Sequence, residues 1–148
     1  MSESAFEYLS SHSLLFLATA SPAGDVHVAP MFYASEDKAI FFSAPDGSVT
    51  AENLRGNPVA AVAIADAPAD WSQARGLQIE GPVAELDGDL EAAAAQLFQS
   101  KYSHLGDAAS HSHYWRLDAA DVRYVHNGEA GTESFETLGQ TWEREKVA

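Results

Sequence analysis

Three of the four histidines in the second half of the chain lie within ten residues: His104, His111 and His113. His111-Ser112-His113 is a His-x-His pair, and in a strand residues i and i+2 share a face, so two imidazoles can turn toward one metal ion. The spacing supplies no third ligand. The run from Lys101 to His111 (KYSHLGDAASH) reads as a polar loop, solvated histidines account for it, and no metal site is expected. A second concentration of chemistry runs from Phe41 to Pro58, FFSAPDGSVTAENLRGNP. The end of a strand, a turn over Ala44 to Gly47 and a helix starting near Ser48 follow one another. A helix start leaves unpaired N–H groups under a partial positive charge, which makes this junction a seat for an anion or phosphate. The hydroxyls of Ser43, Ser48 and Thr50 stand beside it, although for Ser48 and Thr50 capping competes with ligand binding.

Composition removes many other chemistries. Without cysteine the chain has no disulfide, thiolate nucleophile, Cys-ligated zinc or iron–sulfur cluster. No Ser-His-Asp order, Walker loop or G-x-G-x-x-G appears, so hydrolase, nucleotidase and dinucleotide-fold readings lack support. With 22 acidic and 8 basic residues the formal charge is −14, which repels nucleic acid and anionic membranes; neither is an expected partner. No apolar run approaches the ~20 residues of a membrane helix, and MSESAFEYLSSHS lacks the basic and apolar regions of a signal peptide. The expectation is a soluble cytoplasmic protein with an acidic, solvated shell. At 148 residues it fits one domain over 1–148, long enough to bury roughly 70% of the surface its unfolded form exposes.

The elements that must position these residues follow from periodicity. Residues 2–10 read as a short helix capped by Ser2 or Ser4, with Ala5, Tyr8 and Leu9 inward. Leu14 to Ala20 is a buried strand, Ser21 to Asp25 a turn, and Val26 to Ala34 a strand that Pro30 marks as an edge or bulge. Ser35 to Lys38 turns the chain into a third strand, Ala39 to Ser43, and the three strands form a meander. After the helix, Asn57-Pro58 leads into Val59 to Ala65, apolar enough for burial on both faces. A loop over 66–74 carries Trp71, and Gly76 to Leu86 is a long strand bent at Gly81-Pro82. Asp87 to Ser100 is a helix with Asp89 at its N-cap and Leu90, Ala93, Ala94, Leu97 and Phe98 on one stripe. Ser112 to Leu117 and Asp121 to His126 are two short strands or one broken strand. Ser134 to Leu138 adds an edge strand, and the tail from about 139 is loose. Without a βαβ rhythm, six or seven short strands with two or three short helices make a small antiparallel barrel.

The order FLATASPAGDVHVAPMFYA, IFFSAPDGSVTAENLRGNPVAAVAI, RGLQIEGPVAEL resembles the pyridoxamine 5′-phosphate oxidase-like family of FMN-binding split barrels, over roughly residues 6 to 138. The resemblance implies a homodimeric split β-barrel with FMN in a groove between subunits. It also implies that basic side chains on the second strand and at the helix start hold the phosphate, with hydroxyls at the third strand's end. Those positions are His27 and Phe32 or Tyr33, then Phe42 and Ser43, then Ser48, Val49 and Thr50; Gln78 is placed to meet a flavin edge. Here the chain departs from the family it resembles: His27 stands where that family often has an arginine, and Val49-Thr50 where it often has a basic pair. Losing two or three charge-assisted contacts of roughly 1.5–3 kcal/mol each weakens the grip by several orders of magnitude. Arg55, further along the helix, and Arg75 are the cations expected to substitute from a different direction.

Each of these positions also has a plainer reading. His27 is either a ligand contact or a strand histidine facing solvent, and Gln78 either a flavin contact or ordinary polar alternation. Trp71 and Trp115 either stack on the flavin or anchor packing. Two functions follow: an FMN-dependent oxidoreductase acting on a small molecule, or a split barrel holding haem, another ligand or nothing. For the haem variant, His126 or the 111/113 pair are the candidate iron ligands. Pyridoxamine phosphate, with its own phosphate, is not the expected substrate of a chain so short of cations.

Overall fold

The computed structural model describes residues 1–109, 113–126 and 142–146. The chain opens with α1 (Glu3–Ser11), which Ser2 caps by accepting from the Ala5 amide at 3.3 Å; Ala5, Tyr8 and Leu9 bury its inner face, as their spacing predicts. β1 (Leu14–Ala20) and β2 (Val26–Phe32) form a hairpin, with Leu14 opposite Phe32 and Ala20 opposite Val26. Among the described strands β2 pairs with no other, and an edge strand tolerates Pro30, which has no N–H to give.

The expected meander stops there. The chain breaks at Tyr33, whose hydroxyl donates to the Leu9 carbonyl at 2.5 Å, and β3 (Ala34–Glu36) then pairs with β4 (Ala39–Ser43) around a turn at Asp37. β4 pairs onward with β7 (Tyr114–Asp118) rather than with β2. The buried Tyr33 accounts for this break: anchoring under α1 redirects the chain to the other half of the barrel.

α2 (Val49–Gly56) follows, then β5 (Val59–Ala65), β6 (Arg75–Glu85), α3 (Gly88–Lys101), β7, β8 (Asp121–His126) and β9 (Trp142–Lys146). β6 is the spine. One edge pairs with β5 from Gly76 to Pro82, while the other is shared, Arg75 to Glu80 with β8 and Val83 to Glu85 with β7. The split falls at the predicted Gly81-Pro82 bend. Gly81 is required sterically, because a Cβ there would stand 1.9 Å from the Asp118 carbonyl oxygen in the β7–β8 link. The path β2-β1-β5-β6-β7-β4-β3, with β8 and β9 branching from β6, is the curled antiparallel sheet of a split barrel.

Four expectations change. β5 is buried on one face only: Ala60, Val62 and Ile64 point inward while Val59 and Ala63 are exposed. β1 likewise leaves Leu14 and Phe16 outside. Asp87, not Asp89, is the N-cap of α3, and Leu90 and Ala93 lie off its buried face, which uses Ala94 and Phe98. Trp142–Lys146 pairs with β8, where a loose tail was expected. The expected strand at 134–138 lies outside the described residues. The main core gathers Leu15, Leu17, Ile40, Phe42, Ile64, Leu77 and Trp115, and a second cluster lies under α3 around Phe98 and Tyr114.

Candidate functional site

The start of α2 has the form of an anion seat. Ser48 is the N-cap; its Oγ accepts from the Ala51 amide at 3.1 Å and its carbonyl from Glu52 at 3.0 Å. The Val49 and Thr50 amides have no partner among the described residues, as first-turn donors. Val49 is exposed and Thr50 buried. Asn53 fixes the helix against the barrel by donating to Thr19 Oγ1 at 3.1 Å, and Asn57 donates to the Ala20 carbonyl at 3.3 Å. His27 sits opposite Thr19 in the β1–β2 register and is partly buried on the same face. Ser43 ends β4 opposite Tyr114. Phe42 is fully buried in the core, so only its backbone is available to a ligand; Phe32 is exposed, 5.6 Å from the Tyr102 ring.

No cation among the described side chains compensates at this seat. Arg55 is held by carboxylates: its Nε and guanidinium donate to Glu85 at 3.1 and 2.5 Å and to Asp46 at 2.5 Å, and it covers the Trp115 ring at 5.7 Å. In return the guanidinium keeps the Asp46 and Glu85 carboxyls below their ordinary pKa range. His113 stands 3.5 Å from Asp46, so Asp46, Glu85 and His113 have ligand atoms within 4.8 Å of one another. Arg55 already supplies the positive charge this trio would take from a metal. Arg75 is exposed beside Asp66.

The other candidates disperse. Trp115 is a packing anchor, 2% exposed with its indole N–H donating to the Ala44 carbonyl at 3.4 Å. His104 is exposed, and His126 is buried against Tyr124 at 5.0 Å between ring centroids. His111 and the Trp71 side chain lie outside what is described.

What the structure assembles instead is the outer face of the sheet. Cross-strand partners share a face, so the register lines up Pro30, Phe16, Ala63, Gln78 and Arg123 in one row over five strands, β2 to β8. The next row carries Val28, Ala18, Ala61, Glu80 and Asp121. Leu14, Phe16, Val26, Val28, Phe32 and Val59 are all at least 46% exposed on this side or its rim. A groove of about 540 Å³ is cut into it, walled by Ala18, Val26, Val59, Ala61 and Pro82 and edged by Asn57, Glu80 and Asp121. Gln78 and Arg123 are partly buried, and neither side chain has a hydrogen-bond or ion-pair partner among the described residues. Arg123 was missed in the sequence; its signal was the alternation Val122, Tyr124 and His126 inward, which turns Asp121, Arg123 and Val125 outward.

Among the described residues no helix is long and apolar enough to cross a membrane. No curated protein sequence matches the chain. Among solved structures, a haem-binding protein from Mycobacterium smegmatis is similar with a TM-score of 0.75 and 21% identity, over 99% of this chain and 59% of that one. A conserved hypothetical protein from Mycobacterium tuberculosis gives 0.76 and 22% identity, over 94% and 93% of the two chains. An FAD-binding protein from Mesorhizobium loti gives 0.66 and 21%, over 80% and 87%. These likenesses establish the fold. The sequence model of pyridoxamine 5′-phosphate oxidase matches residues 1–126, and the chain belongs to that family.

Proposed function

We propose that the protein is a homodimeric flavoprotein that binds FMN and passes electrons between a reductant and a small acceptor. The observation that carries this reading is the outer face, an apolar surface with a groove of about 540 Å³, within the range of small-molecule and cofactor sites. Apolar strands open to water on this scale are what a second copy covers, and a groove at their edge is where a flat ring is shielded.

The residues present suit the two ends of FMN differently. Exposed small and aromatic side chains suit the ring, and Gln78 offers an amide to its edge. The phosphate end has the Val49 and Thr50 amides and the α2 dipole but no arginine or lysine among the described side chains, and His27 lies with Thr19 on the face turned away from the groove. FMN is therefore gripped mainly by its ring. A bound flavin supplies the redox chemistry, while the chain holds it, orients it and keeps water away. An absorbance spectrum of the purified protein, before and after added FMN, tests this: flavin bands that stay with the protein through a desalting column are expected, and no binding at high micromolar FMN removes the reading.

The cation-poor helix start favours one second reading, in which the groove holds haem, a group with no phosphate to grip. The M. smegmatis protein of similar fold is described as haem-binding. The candidate iron ligands are His126 or the 111/113 pair; of these, His126 is buried on the inner face against Tyr124, His113 stands beside Asp46, and neither lines the groove. A haem titration with no Soret shift excludes it.

A further inference from the structure

Arg123 is a cation in an unusual place. Arg55 and Arg116 are each tied to carboxylates, Lys101 donates to the His12 carbonyl, and Arg75 and Lys38 are exposed. Arg123 alone among the described basic side chains lies partly buried on the outer face with no ion-pair or hydrogen-bond partner among the described residues. On one side it faces Gln78, equally unpartnered among the described residues, with the row continuing into Ala63, Phe16 and Pro30; on the other it stands opposite Arg144 of β9. A guanidinium covered by a ligand or second protomer loses water, and it must then meet an acceptor or a negative charge.

We propose that Gln78 and Arg123 form the recognition pair for the pyrimidine-dione edge of the flavin, with Arg123 donating to the edge where negative charge gathers on reduction. This rests on the FMN reading above and extends it to the residue that discriminates the ring. The chemistry matches donor for acceptor. The edge alternates carbonyl, N–H and carbonyl; the Gln78 amide both accepts and donates, whereas a guanidinium only donates. The apolar row from Ala63 to Pro30 then lies under the fused rings. Such a cation holds the reduced, anionic ring more tightly than the oxidised one, so it raises the midpoint potential as well as the affinity.

The test is a titration of the dimeric wild type, R123L and R123K with FMN and with riboflavin, followed by flavin fluorescence, together with midpoint potentials of the loaded proteins. R123L is expected to lose about tenfold or more for both flavins by the same factor, to shift the potential negative, and to be partly rescued in R123K. R123L binding both within twofold of wild type overturns the role of Arg123 while leaving the FMN reading standing. A loss confined to FMN also overturns it, since that assigns Arg123 to the phosphate. A wild type that binds neither flavin overturns both. Melting and light scattering check fold and dimer, and R123Q, uncharged but polar, decides the matter if R123L is unfolded or monomeric.

Discussion

Lys101 ends α3 with its ammonium donating to the His12 carbonyl and lying 4.3 Å from the centroid of the Tyr33 ring. Burial pushes its pKa down from 10.5 to about 8. Between these values the unfolded chain holds a proton that the folded chain has released, so stability rises with pH across that window. Burial pushes the Tyr8, Tyr33 and Tyr102 phenols up, so the unfolded chain ionises first above its ordinary pKa of 10.0 and stability falls. Urea unfolding at pH 7.5, 9.5 and 11 should show a rise followed by a fall, and K101M should remove the rise while keeping the fall. Gly81 makes a sharper demand. Gly81→Ala drives a methyl to 1.9 Å from backbone, with no flexible side chain to yield, so it should cost at least about 2 kcal/mol of unfolding free energy and loosen the β6–β7–β8 split. A G81A protein melting like wild type would mean the junction gives way easily.

At the scale of the element, α2 shows what could be read from the sequence and what could not. The helix start at Ser48, its cap and the missing cations were all legible, because capping and charge are local. The fate of Arg55 was not: Glu85 lies 30 residues away in sequence, and it takes the β4–β7 and β6–β7 pairings to bring Asp46 and Glu85 to one guanidinium. β5 misled for a related reason. VAAVAIA is apolar at every position, so periodicity cannot say which face the barrel covers, and the structure leaves Val59 and Ala63 out. Arg123 escaped notice because a cation in a short strand acquires meaning only from its cross-strand neighbour, Gln78. The α2 reading gives its own prediction. Val49 is exposed beside two unpaired amides, so V49R should restore a charge-assisted phosphate contact, tightening FMN about tenfold at low salt and leaving riboflavin unchanged. Equal effects on both ligands would place the phosphate elsewhere.

Over the whole molecule two surfaces oppose one another, an acidic shell and an apolar sheet face. A charge of −14 repels itself, and salt screens that repulsion within a Debye length of about 10 Å at 0.1 M, so the melting temperature should climb between 0.05 and 1 M salt. The apolar face makes the larger claim. Leu14, Phe16, Val26, Val28, Phe32 and Val59 are about half exposed or more; at roughly half of the 1.5–3 kcal/mol for full burial, covering them contributes about 5–9 kcal/mol per protomer. Two protomers together then offset the association cost of about 4–15 kcal/mol, which a small or polar patch could not. Phe16 lies in the row that carries Gln78 and Arg123, so a charge there opposes dimerisation and ring binding together. Because Phe16 is already 46% exposed in the protomer, F16E should leave secondary structure intact while light scattering reports a monomer and the flavin bands disappear. A dimeric F16E would move the interface to another surface. A monomeric F16E that kept its flavin would confine the cofactor to one protomer, with Gln78 and Arg123 acting alone.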